Sequence, residues 1–171
     1  MKFRGQILCS AAIILAASIA WPRTAERLRR SDSEFITKAA QGGMAEVQMG
    51  QLAVSHASNP AVKAFGKRMI DDHTKANDEL KAVAAKKGIA VPVAVDAKEK
   101  ATIDRLSNLN GAAFDRAYMH DMVKDHEEDV AEFQRESNNG ADPDVKAFAA
   151  KTLPTLQEHL KIAQDTEPKV K

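Results

Sequence analysis

The chain has 171 residues, with 25 lysines and arginines against 24 aspartates and glutamates, and a formal net charge of +1. This balance leaves no basic excess to attract nucleic acid, and the 5% of aromatic residues offer few platforms for base stacking. The single cysteine, Cys9, falls in a predicted targeting segment, which excludes cysteine nucleophiles, CxxC redox pairs and cysteine zinc sites from the remainder. The sequence also lacks a glycine-rich phosphate loop and a nucleophile elbow, which argues against nucleotide binding and triad catalysis.

Residues 1–20 have the layout of a secretory signal peptide. A short basic start precedes an apolar run that ends in Ser18-Ile19-Ala20, which fits the small-x-small rule with cleavage after Ala20. The run from Ile7 to Trp21 is about 22 Å long as a helix, shorter than a hydrocarbon core of about 30 Å. Because arginines follow the run and oppose export of that side, an uncleaved N-terminal anchor is the alternative, and it would be the only membrane contact.

The rest of the chain predicts an all-α domain over residues 32–166, after a polar linker over 21–31 and before a frayed tail over 167–171. Ser31 and Glu34 form a capping box that predicts a first helix from about Asp32 to Ala57. Asn59-Pro60 and Asp142-Pro143 each combine a capping side chain with proline at the first helical position. A short helix ending near Ser107 and a long one over about 112–137 complete the set.

An internal repeat indicates how these helices are arranged. Residues 59–65 and 142–148 are identical at five of seven positions, so that the second and last helices start alike. Each follows a long helix after a short turn. We therefore predict two helical hairpins joined by a long crossover that contains the short helix, which is a ferritin-like four-helix bundle.

Titratable residues interrupt the apolar stripes of the four long helices. His73 lies four residues after Met69, where a core hydrophobe is expected. His126 and His159 occupy the same kind of position in the fourth and fifth helices, and the first helix offers Glu46. With a rise of about 1.5 Å per residue, the four side chains come close to one level of the bundle.

Such a layer suggests a metal site. Neutral imidazole and carboxylate suit transition metals such as Zn, Cu, Fe or Mn. The candidate ligands are Glu46, His73, His126 and His159, and the candidate residues that orient the histidines of adjacent helices are Asp72, Asp125 and Glu158. The alternative is a buried network of histidine and acid that only fixes helix packing, in a non-catalytic structural or stress-related envelope protein.

Two other metal chemistries are less well supported by the spacing. No histidine has Asp or Glu three residues before it, so the Glu-x-x-His motif of di-iron bundles is missing from the sequence. This disfavours oxidase chemistry, and a binding protein is expected in preference to an enzyme. Tyr118 to Met122 brings methionine and imidazole together, as Cu(I) prefers, but methionine at helical spacing more often fills a core.

Two long stretches carry a family resemblance. They are TKAAQGGMAEVQMGQLAVSHASNPAVKAFGKRMIDDHTKANDEL and AFDRAYMHDMVKDHEEDVAEFQRESNNGADPDVKAFAAKTLPTLQEHLKIA. Together they resemble the bacterial domain of unknown function 4142, whose members are grouped with ferritin-like folds. The resemblance implies a protein exported to the periplasm or envelope of a bacterium. It also implies that Glu46, Asp72-His73, Asp125-His126 and His159 are characteristic positions, without assigning them a role.

Overall fold

Five α-helices make up most of the part of the chain that the structure describes. The structure is a computed structural model that describes the backbone of residues 20–170 and the side chains of residues 30–170. The helices are α1 (Ala20–His56), α2 (Pro60–Lys86), α3 (Ala97–Ser107), α4 (Gly111–Asn139) and α5 (Pro143–Thr166), followed by a short 3-10 helix (Glu167–Lys169). These residues contain no β-strand, and the all-α prediction is confirmed.

The long helices form two hairpins. α1 packs along α2, and α4 packs along α5, each pair being joined by a short turn. The hairpins meet through α2 against α5 and α1 against α4, while α3 lies on α1 within the crossover. This is the predicted ferritin-like bundle of two hairpins with a long crossover, and the prediction is confirmed.

Side chains cap the starts of the helices that follow the two short turns. Asn59 accepts a hydrogen bond from the N–H of Ala61, and Asp142 accepts from the N–H groups of Asp144 and Val145. Proline stands at the first helical position in both cases, where no backbone donor is lost. The repeated sequence therefore produces a repeated local structure.

The two ends of the domain differ from the expectation. α1 begins at Ala20, so that residues 21–31, expected as a linker, are helical and Ser31 does not cap the helix. The helix formers before Ser31 explain this, since a capping box can also be accommodated inside a helix. The tail was expected to fray, but Val170 is 7% exposed and packs into the core, because the 3-10 helix turns it inward.

The predicted signal peptide over residues 1–20 lies, apart from Ala20, outside the described residues. Within residues 20–170, the helices are too short or too polar for any of them to cross a membrane.

Two apolar clusters lie on either side of the middle of the bundle. One contains Phe65, Phe114 and Tyr118 with several methionines, and the other is built around Phe35 and Phe148. The helix residues between these clusters form the level at which the polar side chains enter the core. The clusters thus hold the backbone on both sides of the candidate site.

Two glycines bring α1 and α2 together. A Cβ placed on Gly66 would lie 2.6 Å from the Cβ of Ala53 and 2.9 Å from the carbonyl oxygen of Gly50. A Cβ on Gly50 would lie 2.8 Å from the carbonyl oxygen of Gly66. The helices therefore approach at backbone contact, and this brings Glu46 near His73 on the opposite helix.

Candidate metal centre

Three histidines from three helices meet between the apolar clusters. His73 of α2, His126 of α4 and His159 of α5 are 5%, 0% and 0% exposed. One ring nitrogen from each lies within 4.8 Å of a ring nitrogen of the others. The ring centroids are 5.2 to 5.9 Å apart. The side chains that the helical levels placed together are thus together in the structure.

The hydrogen bonds of these rings determine which nitrogen carries the proton. Two hydrogen bonds join His126 Nδ1 to the Met122 carbonyl oxygen (2.9 Å) and His159 Nε2 to Asp72 Oδ2 (2.8 Å). His73 Nδ1 lies 2.9 Å from Glu46 Oε2, at ion-pair distance. A carbonyl or an ionised carboxylate can only accept, so the bonded nitrogens of His126 and His159 are the N–H groups. The Glu46 oxygen beside Nδ1 of His73 favours the proton on that nitrogen. The second nitrogen of each ring then carries a lone pair.

Those second nitrogens are the atoms available for a ligand. Nε2 of His73, Nε2 of His126 and Nδ1 of His159 are buried and have no hydrogen-bond partner among the described residues. Buried polar atoms normally have partners, so three orphans in one place require an explanation. Three converging imidazole lone pairs form a donor set that binds Zn²⁺ or Cu²⁺ in other proteins.

The electrostatics of the layer keep the rings neutral. Burial lowers the pKa of His73 to about 4 and that of His159 to about 4. Burial and the two neighbouring imidazoles lower the pKa of His126 to about 3. At neutral pH all three rings are therefore in the form that coordinates a metal.

Glu46 of α1 faces the same space. Its carboxyl group is buried, and its Oε1 atom lies 3.4 Å from Nε2 of His126 without a hydrogen bond. Burial, helped by the charges of Asp125 and Glu99, raises the pKa of Glu46 well above its usual value. Two lone pairs facing each other at this distance repel unless a cation or a proton lies between them. A metal ion or a proton on Glu46 would each resolve this contact.

Asp72 holds His159 from the outer side of the layer. Although burial opposes it, hydrogen bonds from His159 and Arg68 lower the pKa of the Asp72 carboxyl. Arg68 in turn forms a two-pronged ion pair with Glu158, at 2.8 and 2.7 Å. Asp72 is thus bonded to a histidine on an adjacent helix. Glu158 contacts Arg68 and not a histidine, because its position on α5 points to solvent.

Asp125 has a different environment from the one expected. None of the hydrogen bonds found among the described side chains joins it to a histidine, and it lies instead beside Glu46 with Asp129 and Glu99. Burial and the charges of Glu99 and Asp121 raise the pKa of Asp125 to about 7. Burial and the nearby Glu46 raise the pKa of Asp129 well above its usual value.

Sequence reasoning missed Asp129, although a signal was present. The offset of 83 residues that relates Asn59 to Asp142 also relates Glu46 to Asp129. The same offset relates Asp32 to Asp115, and these two buried carboxylates bind corresponding turns. Asp32 accepts from the N–H groups of residues 141 and 142, and Asp115 accepts from those of residues 58 and 59. Extending the repeat beyond residues 59–65 and 142–148 would have paired Glu46 with Asp129.

The methionine and histidine cluster around Tyr118 does not converge. Met119 and Met122 are buried in the apolar cluster, whereas the side chain of His120 is 73% exposed and pairs with Glu167. His56 is half-buried and stacks on Phe114 at 5.7 Å between ring centroids. The methionines here therefore act as core filler.

A cavity of about 100 Å³ between α2 and α5 reaches the histidine layer. His73 and His159 lie at its inner end, and Lys75, Glu79 and Lys151 lie toward its mouth. Its volume is enough for several water molecules. The site is therefore buried without being sealed on this side.

The fold and the buried histidine layer define a ferritin-like helical bundle with a polar core. Residues 20–166 match the family described as a domain of unknown function, DUF4142, and the chain belongs to this family. No curated protein matches the chain.

Solved structures of similar fold include two DUF305 proteins and CopM. A DUF305 fragment from Deinococcus radiodurans has a TM-score of 0.71 at 12% identity, and the match covers 81% of this chain and 96% of that one. A DUF305 protein from Streptomyces coelicolor has a TM-score of 0.69 at 12% identity, covering 82% and 92%. A structure of CopM has a TM-score of 0.65 at 17% identity, covering 78% and 93%. At these identities the likeness shows the fold alone.

Proposed function

We propose that this protein binds one transition-metal ion per chain in the core of the bundle. His73, His126 and His159 supply three nitrogen ligands, and Glu46 supplies an oxygen from the fourth helix. Two observations support this most strongly: each of the three rings has a buried nitrogen without a partner, and one ring nitrogen from each histidine lies within 4.8 Å of the others. A metal ion satisfies all three together with the free oxygen of Glu46.

The donor set favours some metals over others. Three imidazoles and one carboxylate suit Zn²⁺ and Cu²⁺ best, while Fe and Mn ordinarily take more oxygen ligands. One of the fold neighbours, CopM, has been solved in a Cu(I)-bound form. Copper therefore belongs with zinc among the first metals to be tested on this chain.

We also propose that the protein is exported from a bacterial cell. The support is the signal-like layout of residues 1–20 in the sequence. The DUF305 neighbour from Streptomyces coelicolor is described as predicted to be secreted. N-terminal sequencing of protein recovered from the periplasm tests this, and a first residue of Trp21 is the expected result. A protein that stays in the cytoplasm with Met1 or Lys2 at its start contradicts it.

The metal-free alternative has one observation in its favour. Burial raises the pKa of Glu46, and a protonated Oε1 can donate a hydrogen bond to Nε2 of His126, 3.4 Å away. The layer would then be a polar network that fixes helix packing. In this network Nε2 of His73 and Nδ1 of His159 would still have no partners, whereas a bound metal ion would coordinate both.

Metal analysis of protein purified without a histidine tag distinguishes the two. The chain has five histidines, of which three are in the layer. The His73→Ala/His126→Ala double variant should lose the ion, and the matched His56→Ala/His120→Ala variant should keep one ion per chain. Circular dichroism checks that both variants fold. Negligible metal in wild-type protein after exposure to Zn²⁺ and Cu²⁺ would overturn the proposal.

A thermal melt gives an independent measurement. A ligand that binds only the folded chain raises its stability by about 2.7 kcal/mol at a hundred times the dissociation constant. The midpoint of the wild-type protein should therefore rise with added metal. That of the double variant should not change.

A further inference from the structure

A second cavity of about 40 Å³ reaches the polar layer from the side opposite to the α2–α5 opening. It lies between α1, α3 and α4, and it has room for a cation with part of its hydration shell. We call it the acidic cavity. Its lining residues are Gly42, Glu46, Met49, Lys98, Glu99, Asp125, Glu128 and Asp129.

The ionisable side chains of this cavity are almost all acidic. Five of its eight lining residues carry carboxyl groups, and one, Lys98, carries an ammonium group. Glu46 forms the inner end and has a buried, unpartnered Oε1 atom. The carboxyl groups that are ionised attract cations, because clusters of one sign between low-dielectric walls concentrate ions of the opposite sign and increase their rate of binding.

Lys98 lies at the mouth of the acidic cavity. Its side chain is 62% exposed, and its Nζ atom is 3.4 Å from Glu128 and 4.0 Å from Glu99. An exposed lysine held by two carboxylates at these distances is weakly bound and can be displaced. The ammonium group thus takes the place of a cation at the outer end.

The charges that line the α2–α5 opening are balanced. Near its mouth Lys75 and Lys151 balance Glu79 and Asp72, and Lys151 is paired with Glu79 at 2.7 Å. It is larger, but it offers a cation no net attraction. Both openings reach the polar layer, and they differ mainly in the charge of the residues that line them.

We propose that the acidic cavity is a second cation subsite, where an incoming metal ion first binds before it passes Glu46 to the three histidines. Glu99, Asp125 and Asp129 hold the ion in transit, and Lys98 moves aside to admit it. This rests on the proposed metal site, since it assigns the route by which that site is filled. Glu46 then has two functions, as the last oxygen of the route and as a ligand of the final site.

Stopped-flow mixing of the full chain with Co²⁺ tests the subsite, because the visible absorption of Co²⁺ reports imidazole coordination. The test variant is Glu99→Gln/Asp125→Asn. The matched control is Asp104→Asn, which removes a carboxylate from the same short helix at an exposed position that does not line the cavity. Lys98→Ala tests the outer end.

For the double variant we expect the association rate constant to fall about tenfold at low salt, and the difference to shrink at high salt. The dissociation rate constant should fall too, because the ion leaves by the same route. Lys98→Ala should raise the association rate, and Asp104→Asn should change neither constant. The single variant Glu99→Gln provides a milder test if the double variant folds poorly.

Two results would overturn the subsite. An unchanged association rate with faster dissociation would mean that the carboxylates only stabilise the bound ion. Slower association after Thr155→Trp, with no effect of Glu99→Gln/Asp125→Asn, would assign the route to the α2–α5 opening. The absence of any Co²⁺ signal in the wild-type chain is a different outcome, which rejects the metal site itself.

Discussion

Asp72 is the residue whose replacement should weaken metal binding without removing a ligand. It accepts a hydrogen bond from Nε2 of His159 at 2.8 Å, which leaves Nδ1 of His159 free for the metal. Asp72→Asn keeps the shape of the side chain but replaces a charged acceptor with a neutral amide. The ring of His159 then loses part of its orientation and of its basicity, while all proposed ligands remain.

The size of the effect follows from the position of Asp72. Loss of a partner that orients a metal-binding histidine typically weakens binding about 10- to 100-fold. The Asp72 side chain is 35% exposed, so solvent screens its charge, and the amide oxygen still accepts weakly. We therefore expect the lower end, about a tenfold rise in the dissociation constant, equivalent to about 1.4 kcal/mol.

Competition against a chelator of known affinity measures this constant for Zn²⁺. The matched control is Asp71→Asn, which removes the same charge from the neighbouring, exposed position of α2. It should change the constant by less than about twofold, because an exposed charge at that distance is screened. Equal weakening by both variants, or no weakening by Asp72→Asn, would refute the assigned role of Asp72.

Three further predictions concern stability and are measured by urea unfolding. Gly66→Ala should destabilise the fold by about 1–3 kcal/mol through overpacking at the α1–α2 contact, whereas Gly42→Ala, with open space around its Cβ, should gain up to about 1 kcal/mol of helix propensity. Asp115→Ala should cost about 3 kcal/mol, because the buried carboxylate accepts from two backbone N–H groups and from the Ser58 hydroxyl, and Ser58→Ala should cost about 1 kcal/mol. The pKa of His126 is lowered to about 3 in the fold, so the unfolded chain binds its proton first, and stability from this group is present above pH 6.5 and lost as the pH falls. Between pH 7 and pH 5 the wild-type protein should therefore lose about 2 kcal/mol more than His126→Gln, and equal losses would contradict the neutral, buried ring.

The bundle could be predicted from the sequence because its signals are local. Asn59-Pro60 and Asp142-Pro143 each favour the start of a helix, and α2 and α5 begin there. The repeat that contains them indicates that the two hairpins are built alike. The predicted start of α1 was wrong because Ser31 and Glu34 satisfy a capping pattern that can also occur inside a helix. Nothing within the segment itself distinguishes the two cases.

The convergence of Glu46, His73 and His126 could be predicted from the sequence because the rise per residue is constant along a helix. The roles of the acidic residues could not be predicted, because neighbouring side chains on a helix point in different directions. Small rotations of the helix therefore decide which residues they contact. Asp72 faces His159, but Glu158 turns to solvent and pairs with Arg68. Such choices depend on the packing angle between helices, which the sequence pattern does not specify.

Long-range proton–nitrogen NMR spectra of the five imidazoles test the central claim most directly, because they identify the protonated nitrogen of each ring. In the metal-free protein we predict protons on Nδ1 of His73, Nδ1 of His126 and Nε2 of His159. One equivalent of Zn²⁺ should then shift the opposite nitrogens of these three rings together and leave His56 and His120 unchanged. Shifts confined to His56 or His120, or rings of the layer that do not respond to Zn²⁺ or Cu²⁺, would contradict a metal site in the core of this bundle.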